Sequence, residues 1–262
     1  MTGFFARLPL RARTYYRSRL AARFGRRPHP WAGERAVVSF TFDDFPRSAY
    51  FRGGRILESS GVRGTFYAAF GLMGGPSPSG DIFVREDLPG ILAAGHEIGC
   101  HTYGHLPAWG TGTRRFEQSV IRNMAAMAET VPGGRLLTHS YPLCEPRPGI
   151  KRAAGRHFLG CRGGGQSVNT GVLDLNLLRS CFIDAKNRHD AGLFRELLDE
   201  TRRLKGWLIF STHDVGPDPS AFGCGPELLE DIVARAAESG ALILPVGEVL
   251  SRLTGGSSAS GA

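Results

Sequence analysis

Apolar runs rich in β-branched and aromatic residues alternate along this chain with segments whose apolar positions recur at helical spacing. Ala36–Phe42 (AVVSFTF) is the clearest strand pattern. Similar runs follow at Thr65–Phe70, Leu136–Tyr141, Phe158–Cys161, Trp207–Thr212 and Ala241–Val246, with a short strand at Glu97–Cys100. Helical spacing occupies Ala49–Ser60, Glu86–Ala94, Arg114–Glu129, Gly149–Arg156, Gly192–Lys205 and Pro226–Ser239. Gly95, Gly240 and the Pro132–Gly133 pair stop three of these helices, since glycine takes the left-handed turn at a helix end and proline cannot continue one. Gly163–Thr170 is polar and glycine-rich and reads as a loop; Gly255–Ala262 reads as a flexible tail.

Strands alternating with helices predict a parallel sheet, because a parallel pair needs a long crossover and the helix supplies it. Seven strands in a chain of 262 residues point to a single-domain α/β fold over residues 34–254, a closed or nearly closed parallel (β/α) barrel. A doubly wound open sheet shares the pattern. The composition, 42% hydrophobic and 21% charged, can furnish a sizeable core, and no run nears the roughly 18 apolar residues of a membrane-spanning helix. The segment RGGGQS lacks the G-x-G-x-x-G frame and no P-loop lysine follows it, so nucleotide binding is not expected.

The net charge of +8 changes the picture only at one end. Residues 1–28 contain eight arginines and no acid, and the remaining 24 basic side chains are matched by 24 acidic ones. The basicity thus marks an arm, residues 1–33, rather than a nucleic-acid-binding face. From Phe4 to Arg27 aromatic and leucine side chains interleave with the arginines. That pattern suits an extension docked on a neutral domain, peripheral contact with an anionic membrane surface, or a mitochondrial-type targeting segment. The longest gap between arginines there is three residues, whereas an export signal needs an apolar core of about 7–15, so a cytoplasmic location is expected. The five cysteines (100, 144, 161, 181 and 224) form no C-x-x-C pair and are odd in number, which predicts reduced, buried thiols.

Candidate chemistry gathers at the ends of the strand patterns. Asp43 and Asp44 follow the first, His101 and His105 the third, and His213 with Asp214 follows Trp207–Thr212. In a parallel barrel all strands open their C-terminal ends on one face, so these groups can converge across more than 100 residues of chain. Two imidazoles and one carboxylate bind a Zn²⁺-like ion and leave a position for water, whose pKa falls to about 7. A neighbouring carboxylate can then act as general base and a histidine across the site as general acid, which suits acyl-transfer hydrolysis. The Asp43–Asp44 pair alone reads equally well as a helix cap at a strand-to-helix turn.

The motifs T-F-D-D (41–44), H-T-Y-G-H (101–105), a Y-P turn (Tyr141, Pro142) and T-H-D (212–214) together resemble the polysaccharide deacetylase family, the nodulation-type enzymes of carbohydrate esterase family four. The resemblance runs from Ala36 to Val249. It implies a distorted seven-stranded barrel that removes an N- or O-acyl group, usually acetyl, from an amino sugar with a divalent metal. By position it makes Asp43 the catalytic base, Asp44, His101 and His105 the metal ligands, and His213 the general acid, while the backbone N–H next to Tyr141 helps hold the oxyanion. The third motif departs from the family's common R-x-P-[YF]: Ser140, Tyr141, Pro142 and Leu143 stand there, nearer to an F-A-Y-P variant. Arg162, after the next strand, is the candidate replacement for the missing arginine. Asp184, and less closely Asp174, matches the aspartate of the fourth motif.

The expectation is a metal-dependent deacylase with Zn²⁺, or Co²⁺ or Fe²⁺, acting on an acylated amino sugar in a poly-, oligo- or lipid-linked saccharide. A deformylase or other amide hydrolase of the same fold, and a non-catalytic carbohydrate-binding barrel, are the alternatives. No nucleic-acid partner is expected, and membrane contact would come through the arm.

Overall fold

The computed structural model describes residues 10–255, so most of the expected tail and the first nine residues of the arm lie outside the described part. The strands, in chain order, are β1 (Pro28–Pro30), β2 (Val37–Phe42), β3 (Thr65–Ala68), β4 (Pro76–Ser77), β5 (Gly80–Asp81), β6 (Glu97–Cys100), β7 (Thr138–Ser140), β8 (Gly160–Arg162), β9 (Val172–Asp174), β10 (Cys181–Phe182), β11 (Trp207–Thr212) and β12 (Leu242–Ile243). The main sheet runs β10-β11-β2-β3-β6-β7-β8, with every neighbouring pair parallel. All six positions of β2 and of β11 are buried. Helices cover the outer face and side chains fill the inner one, which is why these strands read as unbroken apolar runs rather than alternating ones.

The sheet curls into a half-barrel of seven strands. Its edge strands β8 and β10 do not pair with each other, and an isolated bridge between Arg162 and Leu178 lies in the gap. The expected last strand, Ala241–Val246, shrinks to the two residues of β12. It pairs with the lower half of β2 (Leu242 beside Val37), while β3 takes the upper half (Thr41 beside Thr65). The seventh strand on the sheet's path is instead β10, two residues in a passage without strand patterning. Val246 begins a helix, Val246–Leu253, whose first N–H groups donate to Thr65 Oγ1 (3.0 Å, from Val246) and Glu97 Oε2 (2.8 Å, from Gly247). Those distant acceptors cap its N-terminus and so select helix over strand.

The arm is latched to the barrel. Its helix α1 (Leu10–Arg23) packs on α2 (Pro148–Ala154), with Ala21 buried between them. The buried Lys151 ammonium donates to Ala21 O (2.5 Å) and Asp174 Oδ2 (2.6 Å), and β1 pairs antiparallel with β9. The Arg27 guanidinium donates to the carbonyls of Gly155, Phe158 and Leu159. Among the described residues no helix is long and apolar enough to cross a membrane. All five cysteines are free, and all but Cys144 are fully buried.

Candidate active site

The parallel register carries the ends of β2, β6, β7, β8 and β11 to one mouth. At the end of β2 the chain turns through two residues of positive φ, Asp44 (60°) and Phe45 (55°). Phe45 is driven inward to stack on Phe83 at 4.6 Å, and the turn this requires leaves Asp43 and Asp44 at the mouth. Left-handed backbone recurs at Thr102 (57°), His105 (49°), Leu143 (60°) and Cys144 (66°), each a conformation that costs a non-glycine residue about 1–3 kcal/mol. Six of the eight non-glycine residues of positive φ among the described residues lie in the loops that carry the candidate residues.

Asp44 Oδ1 lies 3.4 Å from His101 Nε2 and 3.3 Å from His105 Nε2, and the three donor atoms fall within 4.8 Å of one another. Asp44 Oδ1 is buried without a hydrogen-bond partner. Separations of 3.3–3.4 Å are long for charge-assisted hydrogen bonds. They match the roughly 3.4 Å between two ligands each about 2.1 Å from a tetrahedral ion. His101 Nδ1 is 2.8 Å from Ser140 O, which can only accept, so Nδ1 carries the proton and Nε2 presents its lone pair. Burial pushes the His101 pKa well down and keeps the ring neutral. Burial also raises the Asp44 pKa, against the opposing charges of His105 and His213. An isolated carboxylate in that setting is poorly compensated, and a cation between it and the two imidazoles removes the deficit.

Asp43 has different surroundings. Its carboxylate accepts from the Arg162 guanidinium and from Ser140 Oγ (3.1 Å), with Ser211 Oγ at 3.4 Å. Arg162 is fully buried and also donates to Ser140 Oγ (2.6 Å) and Ser180 Oγ (3.0 Å). Burial alone would raise the Asp43 pKa; the charge of Arg162 leads the effects that oppose it, and the carboxyl is held well below its usual range. His213 Nε2 lies 3.9 Å from Asp44 Oδ2, and its ring packs 5.4 Å from that of Phe222.

The structure therefore brings together Asp43, Asp44, His101, His105, His213 and Arg162. Tyr141, Pro142, Asp174 and Asp184 lie apart from this cluster in their hydrogen bonding. The Tyr141 N–H donates to Arg162 O (3.0 Å) and its hydroxyl to Asn176 O (3.1 Å), while Pro142 has no N–H. The first N–H past the pair belongs to Leu143. Arg162 is buried and committed to Asp43. Asp174 is engaged by Lys151, and Asp184 accepts from the Lys186 N–H (2.8 Å); His213 Nδ1 is buried without a partner, so neither aspartate backs it. The hydroxyls of Ser180 and Ser211 were not legible beforehand. A lone serine has no spacing that marks it.

The fold and site define a parallel half-barrel with an aspartate–histidine–histidine cluster suited to a divalent ion at its mouth. Residues 32–154, a little under half of the chain, match the profile of the polysaccharide deacetylase family. Members act on amide or ester bonds of acetylated polysaccharides. No curated protein matches the chain. Among solved structures, a family 4 acetyl xylan esterase from Clostridium thermocellum in complex with cobalt shares 21% identity and a TM-score of 0.59, over 84% of this chain and 92% of that one. A chain described as a polysaccharide deacetylase from Mycobacterium smegmatis shares 20% and 0.62, over 87% and 94%. A pseudoenzyme of the same esterase family from Bacillus anthracis shares 14% and 0.56, over 85% and 68%.

Proposed function

We propose that this chain is a metal-dependent deacylase that removes an N-linked acyl group, acetyl first among the candidates, from an amino sugar in a poly-, oligo- or lipid-linked saccharide. The observation that carries the reading is the convergence of two imidazole nitrogens and a partnerless carboxylate oxygen beside a second carboxylate and a third histidine. Asp44, His101 and His105 would hold the ion, zinc on ligand type, with cobalt or iron(II) as alternatives. Bound there, it supplies a Lewis acid and an acidified water.

The chain's own groups do the rest. Asp43, kept ionised and turned by Arg162 and Ser140, accepts the proton of the attacking water. His213, across Asp44, delivers a proton to the leaving amine. The Leu143 N–H is the nearest candidate donor for the developing oxyanion, with Tyr141 and Pro142 forming the wall behind it. Such a donor is typically worth about 100-fold in rate.

Acetate and formate release from a panel of acylated amino sugars, read with metal content, tests this reading. Acetate release that vanishes on chelation and returns with zinc is the expected result; formate release alone favours the deformylase alternative. A non-catalytic barrel is the second reading, favoured by the pseudoenzyme among the fold's neighbours and opposed by the intact cluster here. No release from any substrate by the metal-loaded chain would favour it.

Free thiols support a cytoplasmic setting. The outward side of α1, with Arg19, Arg23 and an exposed Tyr15, supports peripheral contact with an anionic membrane surface. Co-sedimentation with phosphatidylglycerol vesicles that is lost in R19Q/R23Q is the expected outcome, and no binding by the intact chain excludes it.

A further inference from the structure

A cavity of about 570 Å³ opens beside the candidate active site. Its size falls within the range of small-ligand sites, about 300–1,000 Å³. Leu143 and Cys144, directly after the Tyr141–Pro142 turn, and Gly164, two residues past Arg162, line it, so it adjoins the reacting centre. Ser18 and Ala21 of α1 line it from the arm.

The lining is electrically lopsided. It contains two guanidinium groups, Arg26 and Arg179, and two carboxylates, Asp174 and Glu145. Asp174 is already neutralised by the buried Lys151 ammonium at 2.6 Å and accepts the N–H groups of Arg27 and Asn176, leaving Arg26 only a distant contact at 3.9 Å. Glu145 accepts from Ser18 Oγ (3.0 Å), and its burial raises its pKa against the opposing charge of Arg17. Arg179 donates from its guanidinium to the Ser167 hydroxyl (3.1 Å) and has no acid partner among the described residues. Gly165, at φ 142°, sits beneath the Arg179 stem, where a Cβ would come within 3.0 Å of it. Glycine there lets the arginine lie along the loop. Apolar Leu143 and Val172, 70% and 60% exposed, complete the lining.

Two arginines, Arg179 with no acid partner among the described residues and Arg26 with only the 3.9 Å contact to Asp174, on a cavity that adjoins an acyl-transfer site, suit a phosphate, whose oxygens match the guanidinium fork. We propose that this cavity is an accessory subsite for a phosphate group attached to the saccharide whose acyl group lies at the Asp44–His101–His105 cluster. The proposal rests on the deacylase reading for the placement of that acyl group.

NMR titration of the full chain with N-acetylglucosamine 1-phosphate and with neutral N-acetylglucosamine tests it. The phosphate should tighten binding about tenfold. R26Q/R179Q should abolish that gain and leave the neutral sugar's affinity unchanged. Both side chains are exposed, so the double variant should fold; R179Q alone should lose part of the gain. R19Q/R23Q, with the same charge loss on the outward side of α1, should keep it. Equal affinity for the two sugars, a gain that survives R26Q/R179Q, or an equal loss in R19Q/R23Q overturns the subsite. A gain reproduced by phosphatidylglycerol vesicles and not by the sugar phosphate would assign the arginines to a lipid headgroup and also overturn it. The titration reads binding without turnover. Phosphate selectivity without acyl release would refute the deacylase and keep the subsite, and release without selectivity would do the reverse.

Discussion

Replacing Arg162 with methionine leaves a long side chain in a fully buried position while removing the charge that answers Asp43. Taking away one member of a buried ion pair typically costs about 3–5 kcal/mol, because the remaining charge has lost both water and its partner. In a chain of this length about 1 kcal/mol moves Tm by roughly 2–4 °C, so R162M should melt about 6–20 °C lower at pH 7. The pH dependence has a definite sign. In the native chain Asp43 titrates below its unfolded value of 3.8, so its contribution is present above that value and lost as pH falls through the folded one. In R162M burial acts without the guanidinium and the Asp43 pKa rises, so the deficit against the native chain is greatest near neutrality and narrows toward acid. Thermal melts at pH 7 and 4.5, with D43N and the double variant completing a cycle, measure it. The double variant should be far less destabilised than the singles sum to, since neutralising Asp43 removes the stranded charge. R162M should also lose about 100-fold or more in kcat, the ordinary scale of general-base assistance. A melt within about 2 °C of the native chain at pH 7, or singles that simply add, refutes the account.

Three further outcomes follow from the same geometry. D44N and H101A should each lose the bound divalent ion, measured by metal analysis, whereas D43N should keep it and lose about 100-fold or more in turnover; metal loss in D43N would reverse the assignment. Burial pulls the His139 pKa to about 3, from 6.5 unfolded, so its contribution is present above pH 6.5 and lost as pH falls toward 3. Urea melts of H139L should therefore lose about 2–3 kcal/mol less than the native chain between pH 7 and 4.5, and identical losses would exclude His139 as the source. K151M should strand Asp174 and release the arm, costing about 3 kcal/mol and exposing the Arg23 and Arg27 bonds to trypsin; an unchanged digestion pattern would show that the latch lies elsewhere.

The alternation of strand and helix, and with it the parallel α/β class, was determined by local sequence alone. β2 and β11 are buried on both faces, and a strand so placed must be apolar at every position. The chemistry-bearing residues were legible for a related reason, because a parallel sheet delivers the ends of all its strands to one side. What the tertiary structure decided depends on partners far along the chain. Val246–Leu253 became a helix because Thr65 and Glu97, more than 140 residues away, cap it. Cys181–Phe182 became the sheet's edge because β11 offered an unpaired ladder, not because two residues carry a strand signal. Arg162 reaches Asp43 because β8 lies beside β7 with Arg162 opposite Ser140, a register that also commits the Tyr141 N–H to Arg162 O. Propensity acts between near neighbours and leaves its mark in the sequence. Side-chain direction at a strand end is set by register and packing between remote segments, and only folding brings those together.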